Sequence, residues 1–368
     1  MTPVELLPTQ TQTVADKLAT LRSLLVHHQI DAYLIPSADE HLNEYLPEAK
    51  QRRKWISGFT GSAGDFLVGI EEAWVFADSR YYEQADAETQ DTPIQVAKVG
   101  LDNHKTLEET LEEWARNAQK MGRSLRLGYD PFTLSVSQFR SFQKSLEPFE
   151  VKLVAVNENL VDRVRRQHPW ATDDSAAYGS SPLFYLPDDL SGEGIEKKQI
   201  RVREKLEKLG ADILPITKLD QVAWLFNLRG WDVPYNPVFI AYAIATRQQT
   251  FLFTNLNRVS SELRQHLEQH VTLLEYDTYT STLASLITAT QRVLLDPKHT
   301  TMGTYQLLLD PNGKQRCKIS ETANPIEGLK ARKNATEVEQ MQAANLKASR
   351  AKTRVMKWVQ DQLADGKT

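Results

Sequence analysis

Four landmarks occur twice in this chain, in the same order, and that repetition constrains the fold more than any other feature. Asp31-Ala-Tyr-Leu-Ile-Pro36, Trp55-Ile-Ser-Gly58, Leu127-Gly-Tyr-Asp130-Pro131 and Asn159-Leu-Val161 run through the first half. Asp212-Ile-Leu-Pro215, Trp224 to Gly230, Leu294-Leu-Asp296-Pro297 and Asn324-Pro-Ile326 run through the second. The offset is 181 residues from Asp31 to Asp212, 172 from Gly58 to Gly230, 166 from Asp130 to Asp296 and 165 from Asn159 to Asn324. A steadily shrinking offset is what shorter loops in a second copy produce. Two copies of one α/β domain follow, a division that also suits a length of 368 residues.

Each copy carries the same pattern of elements. An amphipathic helix comes first, with Val14, Leu18, Leu21 and Leu25 in one copy and Val202, Leu206 and Leu209 in the other, stopped there by Gly210. A short apolar strand follows at 32–35 and at 213–216. Two closely spaced strands come next, 65–70 with 73–78 and 237–244 with 250–254; Glu71-Glu72 is a tight turn, and the pair around it reads as an antiparallel hairpin. A helix over 104–118 puts Leu107, Leu111, Trp114 and Ala118 on one face, and the runs 125–129 and 293–296 read as buried strands. The predicted core is a mixed sheet flanked by helices.

Residues 167–194 break the pattern with Pro169, Gly179, Pro182, Pro187, Gly192 and Gly194, and are the expected linker. The expected division is thus a first domain over 1–166, a linker over 167–194, a second domain over 195–327 and a further segment over 328–368. That last segment holds a long helix over 334–363, with Asn334 as cap, Glu337 three residues on and a sparse apolar stripe.

Composition narrows the function classes. A hydrophobic content of 41% and a charged content of 25% are ordinary for a globular protein. The net charge of −4 speaks against binding nucleic acid through bulk electrostatics. One cysteine, Cys317, excludes an internal disulfide. No apolar run reaches the ~20 residues of a membrane span, and the first residues do not read as a secretory signal. A cytoplasmic protein is expected.

Several motifs invite chemistry. Gly58-Phe-Thr-Gly61-Ser-Ala-Gly64 suggests a phosphate loop, but no Lys-Ser/Thr follows, so a tight turn into the next strand is the better reading. His266-Leu-Glu-Gln-His270 has metal-ligand spacing, yet lacks a third ligand and reads as a solvated helix face, as does His27-His28. Asp78-Ser79-Arg80-Tyr81 opens a helix at a strand end, either as a local cap and ion pair or as part of a site. Arg229, Trp231, Asp232 and Tyr235 form a dense aromatic and polar cluster that either lines a cleft or makes a structural turn.

Three stretches carry a family resemblance: Arg52 to Gly64, Ala77 to Tyr81, and Asp220 to Ile244. They resemble the Xaa-Pro aminopeptidases (aminopeptidase P) of the creatinase/prolidase type. The resemblance implies two tandem creatinase-type, ribonuclease-H-like domains. It also implies that Gly328 to Asn345 begins a catalytic pita-bread domain. Such enzymes remove the first residue of peptides with proline second, using two divalent ions, typically manganese, held by two Asp, one His and two Glu. Hard oxygens bridging two ions suit water activation and carbonyl polarisation.

The last histidine here is His299, and after Lys330 the acids are Glu337, Glu339, Asp361 and Asp365. No catalytic residue and no metal ligand is therefore assigned, no cofactor is expected in this chain, and the chain alone is expected to be inactive. The resemblance implies that Arg80 contacts the peptide substrate, a role suited to a planar fork that grips carboxylates and carbonyls. A homodimer stays open. The rival classes are a non-catalytic interaction module of the same family and a metal-dependent nuclease. The nuclease needs clustered carboxylates that the sequence does not offer. Limited proteolysis should cut first within 167–194 and leave two compact fragments. First cuts inside 60–80 or 236–256 would show the repeat to be misread.

Overall fold

The computed structural model describes residues 13–167 and 181–366. The first half builds one six-stranded sheet from β1 (Ala32–Ile35), β2 (Gly64–Gly69), β3 (Ala73–Ala77), β4 (Gln95–Lys98), β5 (Arg126–Tyr129) and β6 (Lys152–Ala155). The second half begins with the short β7 (Phe184–Tyr185) and continues through β8 (Ile213–Ile216), β9 (Leu228–Arg229) and β10 (Tyr242–Thr246). It ends with β11 (Thr250–Thr254), β12 (Thr272–Glu275), β13 (Arg292–Leu295) and β14 (Lys318–Glu321). The two large sheets have the orders β4-β3-β2-β1-β5-β6 and β12-β11-β10-β8-β13-β14, the same topology twice. Each is mixed: β2 pairs antiparallel with β1 and β3, while β5 runs parallel to β1 and β6.

Alternation along the strands sorts side chains into three cores. Tyr33 and Ile35 of β1 face a core with Leu18, Leu21 and Leu25 of the helix Val14–His27. Leu214 and Ile216 of β8 face a core with Val202 and Leu206 of the helix Ile195–Lys208. The opposite faces, Ala32 and Leu34 of β1 and Ile213 of β8, belong to one cluster shared by both halves. The helices Leu107–Lys120 and Val136–Leu146 contribute to it from the first half.

The halves also join through main chain. Val136 N donates to Thr300 O (2.9 Å) and Met302 N to Leu134 O (2.9 Å); Ser137 N donates to Pro297 O (2.8 Å) and Gly303 N to Pro131 O (2.7 Å). Each bond becomes its twin when 166 is added to one partner and subtracted from the other, the offset between Asp130 and Asp296. The joint is therefore a local two-fold within one chain. Asp130 and Asp296 shape it equally, accepting from Phe132 N (2.8 Å) and Lys298 N (3.0 Å). The exposed Arg140–Glu321 pair adds a bidentate bridge at its edge.

Four expectations need adjusting. The strand expected over 237–244 is β10 at Tyr242–Thr246, because Pro237 to Ala241 are buried or half-buried as a loop. Leu209 is exposed beside Gly210, where the helix has already ended, and Ile195 joins the buried stripe instead. On the helix Leu107–Lys120 the buried stripe includes Ala115, with Trp114 only half-buried. Of the expected linker, 168–180 lie outside the described residues. Residues 181–194 are built into the second half: β7 pairs with β9, and Ser191 O accepts from Asn334 Nδ2 at 2.8 Å. The final helix, Ala335–Ala364, has the expected capping box at Asn334 and Glu337. None of its residues is buried, so Met341, Leu346, Val355 and Trp358 face solvent.

The joint can be tested at Gly303, where a Cβ would lie 2.6 Å from the Phe132 ring. Gly303→Val should cost about 1–3 kcal/mol through overpacking. It should also split calorimetric unfolding into two transitions. A single transition at the wild-type temperature would show that this contact does not couple the halves.

Candidate functional site

β3 ends at Ala77, and the chain turns through Ser79–Tyr81 into the helix Tyr82–Thr89. Asp78 caps this turn by accepting from Arg80 N at 3.1 Å, and its Oδ1 also takes Arg80 Nε at 2.7 Å. That hydrogen bond raises the Arg80 guanidinium above its ordinary pKa and lowers the Asp78 carboxyl. The Arg80 side chain is 63% exposed, and its two terminal amino groups take no hydrogen-bond partner among the described residues. An exposed pair adds little stability. What Asp78 does is aim the fork, leaving its two ends free for a carboxylate or carbonyls.

Beside it, Tyr81 Oη and Ser62 Oγ lie 2.6 Å apart, and this bond holds the phenol below its usual range. Ser62 belongs to the glycine-rich loop, in which Thr60 N donates to the Glu88 carboxylate at 2.8 Å. Its carbonyls turn inward onto a cation: Arg53 Nη1 donates to Gly64 O (2.7 Å) and Ser37 Oγ (2.7 Å), and Arg53 Nη2 to Gly61 O. Gly64 has φ +129°, and a Cβ there would meet Phe76 O at 2.5 Å, so only glycine fits. Burial pulls the Arg53 guanidinium down to about 10. The neighbouring Arg52 is also buried, between Asp162 (2.7 Å) and Glu40 (2.6 Å). Burial opposes ionisation of Glu40, yet Arg52 and Lys50 hold its carboxyl well below the usual range.

A cavity of about 260 Å³ opens against this loop. Tyr45, Leu46, Gly61 and Ser62 line it from the first half, Pro234 and Tyr235 from the second.

The second-half candidates separate. Tyr235 is fully exposed on the cavity wall. Trp231 is 60% exposed with its ring against Phe184 at 6.2 Å, away from the cavity lining. Arg229 is half-buried, donating to Ala223 O and Leu228 O at 2.9 Å. Asp232 does not line a cleft: both its oxygens take Arg258 (2.6 and 2.7 Å), and Ile240 N donates to it at 2.7 Å. Its partner lies 26 residues ahead, which local sequence could not reveal.

His266 and His270 sit with rings 5.9 Å apart, and His266 packs on Tyr185. Among the described residues, no group of three or more His, Cys, Asp or Glu could hold a metal ion, and no helix is long and apolar enough to cross a membrane. Sequence reasoning missed the cavity and the roles of Arg52 and Arg53. The available signal was two adjacent arginines beside apolar residues on a short helix, since arginines seldom lie buried without partners.

The creatinase/prolidase N-terminal domain family matches twice, over residues 17–167 and 174–337. A protein of Aspergillus fumigatus named probable Xaa-Pro aminopeptidase P is 33% identical over 98% of this chain and 53% of its own length. A Neurospora crassa protein of the same name is 34% identical over 98% of this chain and 51% of its own. The crystal structure of X-prolyl aminopeptidase from Caenorhabditis elegans, described as a cytosolic enzyme with a di-nuclear active site, superimposes with a TM-score of 0.84 at 26% identity. That likeness covers 97% of this chain and 57% of the C. elegans chain. The chain thus spans about half the length of the relatives it matches.

The assignment of Asp232 to the frame and Arg80 to the surface is testable by urea unfolding. Asp232→Ala leaves Arg258 buried without its counter-charge and should cost about 3–5 kcal/mol. Arg80→Ala should leave the midpoint nearly unchanged. Equal effects at the two positions would overturn the assignment.

Proposed function

The chain belongs to the aminopeptidase P family, and we propose that it forms the N-terminal, two-domain portion of an Xaa-Pro aminopeptidase. The reaction is release of the first residue from a peptide with proline in second position. In this reading 1–166 and 195–327 are the two creatinase-type domains, joined over 167–194, and 328–368 leads toward a pita-bread catalytic domain. The compartment proposed is the cytosol, as for the C. elegans relative.

The observation that carries the reading is Arg80: an exposed guanidinium aimed by Asp78, with both ends of its fork free, beside a cavity between the domains. A planar fork holds a peptide carbonyl or carboxylate in a fixed orientation. Binding and orientation are what these residues supply. Two divalent ions, manganese in this reading, supply water activation and carbonyl polarisation in the whole enzyme. The described residues of this chain do not fit such a centre. No hydrolytic step is assigned to them, and these 368 residues alone are proposed to be inactive.

A second reading, an interaction module, draws on the exposed apolar residues of the helix Ala335–Ala364, such as Met341, Val355 and Trp358.

The two readings part in a chimera in which this chain replaces the matching part of the C. elegans enzyme. The chimera should cleave Xaa-Pro peptides, while the purified chain with added manganese should not. In the chimera, Arg80→Ala removes a charge-assisted bond worth about 1.5–3 kcal/mol and should lower kcat/KM by about 10- to 150-fold. Arg80→Lys should be nearly as damaging, because an ammonium cannot reproduce the fork. A folded but inactive chimera favours the interaction module. Normal kcat/KM in the Arg80 variants removes the substrate role.

A further inference from the structure

Resting on the reading of Arg80 as a peptide grip, we propose that the neighbouring inter-domain cavity is a subsite for one apolar side chain of the bound peptide, with Tyr235 as its lid. Tyr235 is the most informative residue. Asn236 N donates to Val233 O at 3.2 Å, Pro234 stands second in the turn, and Tyr235 stands third with φ +61°. This is the pattern of a type II turn, whose third position normally holds glycine. A bulky residue held left-handed is strained, and it persists where something else compensates. The Tyr235 ring is also fully exposed, so it gains nothing from burial. Both unfavourable features are offset when the ring closes over an apolar group.

The cavity beneath suits such a group. Its volume of about 260 Å³ lies just under the ~300–1,000 Å³ of sites for drug-sized ligands, and is suited to a single side chain. Tyr45, Leu46, Pro234 and Tyr235 supply apolar walls. Glu44 and Lys54 also line it, and Lys54 is bonded to Glu48 at 3.1 Å. Arg53 reaches the cavity too, but both its terminal nitrogens are committed to the carbonyls of Gly61 and Gly64 and to Ser37. It is not available to hold an anion.

The cavity adjoins the grip. Ser62, a wall residue, is bonded to Tyr81, and Glu44, another, acts electrostatically on Arg80. A peptide whose main chain meets the Arg80 fork can lower a nearby side chain between Leu46 and Tyr235. Arg80 then reads the main chain, and the cavity reads side-chain size and polarity at one position.

The test titrates the 368-residue chain by calorimetry with Ala-Pro-Ala-Ala-Ala and with peptides carrying Leu at its third, fourth or fifth position. One Leu peptide should bind about tenfold more tightly than the all-Ala peptide. Tyr235→Gly keeps the backbone conformation and removes the lid. Its melting temperature should hold, while the preference falls to below about twofold. Arg80→Ala should weaken every peptide alike and leave the ratio intact. A Tyr235-dependent preference that survives with unchanged affinities in Arg80→Ala keeps the subsite and removes the grip. Equal binding of all four peptides, a preference that Tyr235→Gly retains, or no binding at millimolar concentration overturns the subsite. The Arg80 reading then still stands or falls on its own kinetic test in the chimera.

Discussion

The reciprocal main-chain joint between the two repeats is the constraint on which the rest of the molecule depends. Pro131 to Ser137 and Pro297 to Gly303 exchange four hydrogen bonds about a local two-fold. Main-chain bonds at a sheet-like contact tolerate little displacement, so they fix one domain relative to the other. The shared apolar core follows from that placement, because it needs the inner faces of both sheets turned to each other. So does the cavity, which exists only where Pro234 and Tyr235 of the second domain approach Leu46 and Ser62 of the first.

The repeats share a frame but not its chemistry. In the first, Arg52 lies buried between Asp162 and Glu40. In the second, Gln221 occupies the corresponding place, donating to Glu327 (3.3 Å) and accepting from Asn324 (2.8 Å). Asn159 and Asn324 both meet the aspartate of their own repeat, Asp130 and Asp296. Breaking a buried ionic cluster is costly, whereas a neutral amide meets the same geometry with less desolvation. The first domain kept the charged version and, next to it, Arg53 wrapped in the glycine-rich loop. That loop carries Ser62, which ties Tyr81 and places the Arg80 turn beside the cavity. The second domain invested its charge elsewhere, in the Asp232–Arg258 pair that braces the loop ahead of β10.

How much could be read in advance depended on how local each cause was. β1 and β8 fall where short apolar runs predict, because strands buried on both faces have no polar residue to blur their ends. The capping box at Asn334 was legible for the same reason: its two partners are three residues apart. The start of β10 was not. Pro237 to Ala241 are apolar because they are covered, and burial alone does not separate a loop from a strand. Asp232 could be read as lining a cleft or making a turn until its partner was seen, and no local feature of the sequence showed that the carbonyls of Gly61 and Gly64 close on Arg53.

By itself the sequence determined the repeat, the family and the order of elements, since periodicity, capping and paired landmarks act over a few residues or recur along the chain. Tertiary structure alone decided which charges are frame and which are surface. A guanidinium's role is set by what surrounds it in space, not by its neighbours along the chain. Arg80 and Arg258 are the same residue type, yet one ends in solvent and the other closes a buried pair. Tyr235 shows the same limit. Its left-handed backbone and its place on the cavity wall arise from a turn in one domain meeting a loop of the other.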